Sequence, residues 1–456
     1  MNISIETSCR FQPEKQYVFQ VLLTVLLEID FTVTWSKQEI VTEDGQPVTR
    51  LNLPNGTFLT IEDHFFSKHE ANDYFTVENI PKTAPTLPHP FQLDELITVI
   101  FGRPHYMFNA YGAHCGIDIF AASFFMLSRW EEYACLTRDV HGRFPGSAAL
   151  AVQSRFIDRP VVNEYAELLR DFFAKLGWVL PALKRKFTIV PTHDVDTPLL
   201  WYSGIDRLRT LSGSLFKRRD YKEFRYWLSG PLWNPQDPNN TFDELMELSE
   251  KHGHIAHFNF LGQRAPDSDC YYPLRHPFVQ QLIEKIVQRG HITGFHASYE
   301  AFDHPELFAT ELNSLKKTAI LAQNKATQMH GGRQHYLRFS APHTWQVWAD
   351  HGLKWDSTLG YSDAEGFRCG ICTSFPVFNF LTRKTLDLQE HPLIVMDVTL
   401  ALYKKYPPEN AHSAILKLKK EVQKYQGEFV ILWHNSSWNT PVWENWKEVW
   451  KNALAH

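Results

Sequence analysis

The sequence predicts an α/β protein whose C-terminal part folds as a seven-stranded (β/α) barrel or distorted barrel, preceded by a smaller α+β domain. Three observations predict it. From Phe187 onward, short apolar runs alternate with segments of helical periodicity, the pattern of a parallel sheet with crossover helices. Ionisable residues fall at the carboxyl ends of those runs, the rim where a parallel barrel gathers its functional groups. Before Pro181 the alternation is missing, and Pro181 with the basic stretch Lys184-Arg185-Lys186 marks a boundary. The division expected is residues 1–183 for the first domain and 184–456 for the second.

In the first domain the apolar run Tyr17–Ile29 reads as a buried helix and Phe31–Trp35 as a strand. Asp44-Gly45 and Asn55-Gly56 read as hairpin turns. Gly116–Tyr133 reads as one helix ending in the acidic pair Glu131 and Glu132, and Val161–Leu176 as another stopped by Gly177. In the second domain the expected strands are Phe187–Thr192, Ile255–Leu261, His291–Phe295, Gln334–Phe339, Leu353–Asp356, Leu393–Val398 and Phe429–Trp433. The helices between them are Thr241–His252, with a Thr241/Glu244 capping box, Pro277–Arg289, Pro305–Gln323 and His412–Tyr425.

Composition narrows the function classes. Of 456 residues, 44% are hydrophobic and 14% aromatic, enough apolar surface to exclude a disordered chain. The balance of 46 Lys+Arg against 51 Asp+Glu leaves a net charge of -5, which is no footprint for nucleic acid. Six cysteines are too sparse for a disulfide scaffold. The beginning of the chain lacks a basic segment, and Tyr17–Ile29 is too short to span a membrane, so a soluble cytoplasmic protein is expected.

The strand-end residues carry the chemistry. Thr192-His193-Asp194-Val195-Asp196 closes the first run of the barrel, His296 the third, Asp356 the fifth and His434 the last. Arg333, His335 and Arg338 mark the fourth and Asp397 the sixth. Carboxylates, imidazoles and a guanidinium around one mouth suit metal-assisted hydrolysis, with a carboxylate to take a proton from water and a histidine to return one to the leaving group. For any single residue the plain alternative is a strand end that meets water or caps a helix.

These residues resemble the polysaccharide deacetylase catalytic domain, the NodB-homology group of carbohydrate esterases, over Phe187–Trp433. Against that group's TFDDG stands Thr192-His193-Asp194-Val195-Asp196. Against HSxxH after a glycine stands Gly294-Phe295-His296-Ala297-Ser298-Tyr299-Glu300. Against RPPY stands Arg333-Gln334-His335-Tyr336, against a strand-end Trp and Asp stands Trp355-Asp356, and against Leu-x-His stands Leu432-Trp433-His434. The extended form, with Gly366-Phe367-Arg368-Cys369-Gly370, is similar to a divergent bacterial branch that joins this domain to an uncharacterised N-terminal one.

The resemblance implies a deformed (β/α) barrel that removes acetyl groups from N-acetylated sugars with a divalent metal, zinc first and nickel, cobalt or iron as alternatives. It implies Asp194 as general base, Arg333 as the cation that keeps it ionised, and His434 as general acid oriented by Asp356 or Asp397. The implied metal ligands are Asp196, His296 and His335. The group's second metal histidine is Glu300 here, which makes Glu300 the understudy, and His193 is a further candidate. Tyr336, Trp355 and Trp433 are the implied substrate-binding residues. The expected partner is a carbohydrate, in a glycan precursor or nucleotide-linked intermediate. Two rival readings stand: a catalytically degenerate glycan-binding or assembly protein, and a metal amidohydrolase acting on another amide.

Other motifs are weaker. Thr197–Asn240 is too long for an ordinary connection and reads as a lid or substrate-binding insert, with Lys217-Arg218-Arg219 either meeting an anionic substrate or forming a solvated helix face. Glu62-Asp63-His64 with His69 mimics a metal cluster, and Cys369-Gly-Ile-Cys372 a redox pair. Ser436-Ser437 has no GxSxG elbow to support a serine esterase. Trp443, Trp446 and Trp450 have helical spacing and read as core.

Overall fold

The computed structural model of the chain describes residues 2–71, 73–262, 272–323 and 329–455. Its architecture is mixed α/β. The strands are β1 (Asn2–Ser8), β2 (Asp30–Ser36), β3 (Val48–Asn52), β4 (Phe58–Glu62), β5 (Thr86–Pro88), β6 (Leu96–Thr98), β7 (Gly102–Phe108) and β8 (Gly112–Ile117). They continue with β9 (Thr188–Val195), β10 (His257–Leu261), β11 (Ile292–Ala297) and β12 (Gly331–Gln334). The last are β13 (Trp355–Asp356), β14 (Phe375–Asn379), β15 (Lys384–Glu390), β16 (Val395–Met396) and β17 (Glu428–Leu432). The chain divides into two compact units, each assembled from separated segments: Met1–Thr188, Tyr336–Ile394 and Leu418–Phe429 in one, Ile189–His335, Val395–Lys417 and Val430–His456 in the other.

The first unit holds a six-stranded sheet in the order β2-β1-β3-β4-β8-β7. The β3–β4 hairpin turns at Asn55-Gly56, where Gly56 adopts φ 87°, as the turn chemistry predicts. The expected helix Tyr17–Ile29 begins earlier, at Gln12, and winds more loosely over Gln20–Leu26, with Val21, Leu22, Leu23 and Leu26 buried. Gly116–Tyr133 is not one helix. Asp118 ends β8 and accepts hydrogen bonds from the backbone of His64, Phe65 and Ala121, so it caps a new helix, Ile119–Ser128, which is buried on every face. Arg129, at φ 57°, then breaks the chain before a short helix, Trp130–Ala134.

The acidic pair of that short helix has a structural task. Arg368 grips Glu132 through Nε at 2.9 Å and Nη2 at 2.5 Å, and Arg129 Nε meets the same carboxylate at 2.9 Å. Burial pushes the Glu132 carboxyl up, but the two guanidiniums outweigh it and hold it below the usual range. This pairing ties the segment around Arg368 into the unit. Cys369 and Cys372 are buried free thiols whose pKa values burial raises, the setting of unreactive cysteines; Cys270 lies outside the described residues.

In the second unit the strand order is β12-β11-β10-β9-β17-β16. The pairs β9–β10, β10–β11, β11–β12 and β16–β17 are parallel, so their carboxyl ends point the same way. Six of the seven strands expected from the sequence are represented here, several of them shorter, and the remaining one, β13, pairs with β15 in the first unit. The expected strand Gln334–Phe339 is displaced: β12 ends at Gln334, and the chain turns through Tyr336 (φ 60°) and Leu337 (φ 55°), conformations a strand cannot hold. The core packs Trp433 against Trp443, Trp446 and Trp450, as expected, although only Trp450 lies in the helix, which begins at Lys447.

The Thr241/Glu244 capping box does not form. Helix Phe242–Lys251 starts where expected, but the Thr241 hydroxyl donates to the carbonyl oxygen of Asn435 at 2.9 Å, and Glu244 accepts from Trp438 Nε1 at 2.6 Å. Tertiary partners have taken both side chains. The Thr197–Asn240 insert contains two helices, Gly204–Ser212 and Tyr221–Leu228, on a small core of Trp201, Trp227 and Leu232. Asp237 closes its base by accepting from the backbone of Leu200 and Trp201 at 2.9 and 2.8 Å.

Candidate functional site

The parallel register of the second unit sets the site. His296 stands beside Leu261 on β10 and Arg333 on β12, and Asn259 stands between Asp194 on β9 and Gly294 on β11. Residues far apart in sequence therefore meet at one level of the sheet.

Asp196, His296 and His335 each offer one ligand atom, and these atoms all lie within 4.8 Å of one another. Asp196 Oδ1 is 3.2 Å from His296 Nε2 and 3.5 Å from His335 Nε2. The Nδ1 of His296 is committed elsewhere, donating to the carbonyl oxygen of Arg333 at 2.9 Å. That bond fixes the tautomer and turns the Nε2 lone pair toward Asp196, as the outer hydrogen bond of a metal-binding histidine does. Both His296 Nε2 and Asp196 Oδ1 are buried without a hydrogen-bond partner. Buried polar atoms left so are costly in a native fold, and a carboxylate with two imidazoles is a donor set for a divalent transition metal. The residues fit the ion that the sequence implies.

Two charge pairs flank this group. Asp194 Oδ1 accepts from Arg333 Nη1 at 3.0 Å and from Asn259 Nδ2 at 2.7 Å, and Arg333 Nη1 also donates to the Thr192 hydroxyl at 3.0 Å. Burial pushes the Asp194 carboxyl up, but Arg333, His296 and His434 outweigh it and hold it ionised below the usual range. On the other side, His434 presents Nδ1 to Asp397 Oδ1 at 2.8 Å, and Asp397 Oδ2 accepts the backbone N–H of His434 at 2.8 Å. The His434 Nε2 lies 3.8 Å from Asp196 Oδ2. Burial lowers the affinity of His434 for its proton, yet Asp397, Asp196 and Asp194 together raise its pKa to about 10. Asp196 itself is pushed up by burial and pulled well below the usual range by His335 and His296.

Residues 3–177 match a family model described as a family of unknown function, DUF7033. No curated protein matches the chain. Among solved structures, the chain is similar to a candidate polysaccharide deacetylase from Mycobacterium smegmatis, with 14% identity, 60% of this chain and 85% of that one covered, and a TM-score of 0.37. It is also similar to a CE4-family pseudoenzyme from Bacillus anthracis, at 12% identity over 61% of this chain and 65% of that one, TM-score 0.29. A mutant of that pseudoenzyme with restored enzymatic activity matches at 13% identity, 61% and 67% coverage and a TM-score of 0.29. Similarities of this size assign no activity, which has to be argued from the side chains themselves. No helix among the described residues is long and apolar enough to cross a membrane.

The structure thus brings together Asp194, Asp196, His296, Arg333, His335 and His434 within one unit. Of the other predicted residues, Asp356, Trp355 and Tyr336 belong to the first unit and Trp433 to the core of the second. Asp356 is buried in the first unit beside Glu390, whose carboxyl burial and Asp356 push well up. Trp355 meets His391 in that unit, and the carbonyl oxygen of Tyr336 accepts from Arg143. Trp433 is fully buried and serves the core, while its carbonyl oxygen accepts a hydrogen bond from His193 Nδ1. His193 therefore faces away from the metal group, its ring stacked on Phe258. Glu300 is exposed and does not join the ligand set. The Glu62 carboxylate pairs with His64, His114 and Arg103, an ion-pair cluster and not a three-ligand group.

Sequence reasoning missed Asn259 and gave Asp397 no firm role. The signal for Asn259 was available: it is the one amide inside the apolar strand Phe258–Leu261. A Cβ on Gly294 would lie 2.2 Å from Asn259 Oδ1, so the glycine of the Gly-Phe-His motif is the space that Asn259 occupies.

Proposed function

We propose that this protein is a metal-dependent hydrolase that removes an acetyl group from an N-acetylated sugar. The observation that carries the reading is the convergence of Asp196, His296 and His335 between an arginine-held carboxylate and an aspartate-held imidazole. The sugar is supplied by the motif resemblance to the polysaccharide deacetylase group, since the geometry alone specifies only an amide or ester hydrolase.

Asp196, His296 and His335 would hold the cation, and zinc suits the donor set. When bound, such an ion supplies Lewis acidity, polarising a carbonyl and acidifying water. The remaining chemistry belongs to the chain. Asp194, kept ionised by Arg333 and aimed by Asn259, accepts the proton of the attacking water. His434, oriented by Asp397, carries a proton on Nε2 and delivers it to the departing sugar nitrogen. Burial of Asp194 and Arg333 keeps water from weakening their pairing. A second reading, glycan binding without turnover, draws on exposed Glu300 at the position of the group's second metal histidine.

The test is acetate release from N-acetylated sugar oligomers by zinc-loaded protein, beside Asp194→Asn and His434→Asn variants. Release that falls by about 100-fold or more in both variants is expected. Binding of the oligomers with no acetate released, whatever the metal supplied, would move the assignment to the non-catalytic reading. Metal uptake with acetate release from non-sugar amides alone would make it a different amidohydrolase.

A further inference from the structure

The insert between Thr197 and Asn240 leaves several large apolar side chains exposed. In the helix Gly204–Ser212, Ile205 and Leu208 are 62% and 65% exposed, while Arg207 lies inward, its guanidinium over the Trp201 ring and bonded to the carbonyl oxygen of Leu232. The same insert also exposes Phe216, 75% accessible, and Trp233, 71% accessible. Water-facing helices ordinarily place these residue types the other way round, and large exposed apolar side chains grouped on one short segment mark a binding surface.

Charge states what kind of surface it meets. Between Gly204 and Trp233 the chain carries seven Lys and Arg against three Asp and Glu, in a protein whose net charge is -5. Lys217, Arg219, Lys222 and Arg225, in the same insert, are all exposed. Apolar residues including a tryptophan, flanked by basic residues on short helices, are the composition of an element lying in an anionic lipid interface. The insert is also anchored at the candidate site: it begins one residue after Asp196, and Asn435, next to His434, donates to the carbonyl oxygens of Thr197 and Asn239 at 3.0 and 2.9 Å.

We propose that this insert docks the protein on an anionic membrane surface, burying Ile205, Leu208, Phe216 and Trp233 among the lipids with Lys217 and Arg219 against the headgroups. The attachment is peripheral and holds whether or not the hydrolytic reading does.

The experiment is co-sedimentation of the full chain with phosphatidylcholine vesicles, with and without about one-third phosphatidylglycerol. Expected is binding to the anionic vesicles that is at least about 10-fold weaker on neutral ones and weakens in high salt. A Phe216→Ser/Trp233→Ser variant and a Lys217→Glu/Arg219→Glu variant are each expected to lose about 10-fold in affinity with unchanged thermal midpoints. No vesicle-bound protein overturns the proposal. So does binding that only the charge variant weakens, because no insertion would then occur. Self-association in sedimentation velocity that the apolar variant abolishes, without vesicle binding, would make the face a contact between copies of this chain.

Discussion

Gly294 and Asn259 face each other across adjacent strands, and the amide of Asn259 reaches Asp194 only because residue 294 has no side chain. A Cβ there would sit 2.2 Å from Asn259 Oδ1. Gly294→Ala is therefore expected to destabilise the protein by about 1–3 kcal/mol through overpacking. It is also expected to break the Asn259–Asp194 bond and lower turnover. The companion Asn259→Gly/Gly294→Ala chain regains the space but not the hydrogen bond, so its urea midpoint should recover while its kcat does not. A single variant as stable and active as the parent would remove Asn259 from the site.

Arg333 and Asp194 form an ion pair with 0% and 2% exposure. Removing Arg333 leaves the buried Asp194 charge without its largest counter-charge. Arg333→Met is expected to cost about 3–5 kcal/mol and to raise the Asp194 pKa. Adding Asp194→Asn removes the stranded charge, so the double variant should be more stable than Arg333→Met alone, with a coupling of about 1–3 kcal/mol. Denaturant titrations of the four chains measure this. Additive losses would mean that the pairing contributes nothing specific.

Much of this site was legible because strand ends in a parallel sheet are marked by abrupt changes from apolar to ionisable residues, as at Asp194, His296 and His434. The strand cores were legible for the same reason. What stayed hidden depends on tertiary partners. Glu131 and Glu132 read as the acidic end of one helix, yet Glu132 is the buried counter-charge of Arg368, more than two hundred residues away. Thr241 and Glu244 have capping-box spacing, but Asn435 and Trp438 claim their side chains. Asp356 sits at a strand end like the others, and its pairing across β13 and β15 with the buried Glu390 had no local signal. His335 was placed on a strand and instead follows one, in a turn whose left-handed residues no local pattern announces.

Asp397 holds His434 through both carboxylate oxygens, one on the ring and one on the backbone. An amide at this position keeps the shape but can satisfy only one of those donors while turning its own N–H group on the other. Asp397→Asn is expected to lower kcat by about 10- to 100-fold with KM changed by less than about twofold, since the loss falls on proton delivery and not on binding. Steady-state acetate release from the N-acetylated sugars proposed as substrate, beside a thermal melt that excludes unfolding, checks it. A change confined to KM would assign Asp397 to substrate contact.

His193 sets a stability limit on the acid side. Its ring is buried against Phe258 and Trp450, and Nδ1 donates to the carbonyl oxygen of Trp433. Burial lowers its pKa to about 4; the bond to Trp433, Asp194 and Asp397 act to raise it, and His291 acts with burial. An unfolded chain binds this proton near pH 6.5 and the folded one only near pH 4, so the unfolded state holds more protons between those values. Stability rises with pH across that window and is lost as pH falls from about 6.5 to 4. The contribution is about 3 kcal/mol if the full shift is expressed. His193→Phe keeps an aromatic ring in the stack and removes the titration. Between pH 7 and pH 4 the parent is therefore expected to lose about 2–3 kcal/mol more than the variant in urea titrations. Parallel losses in the two chains would show that His193 does not remain neutral through that range.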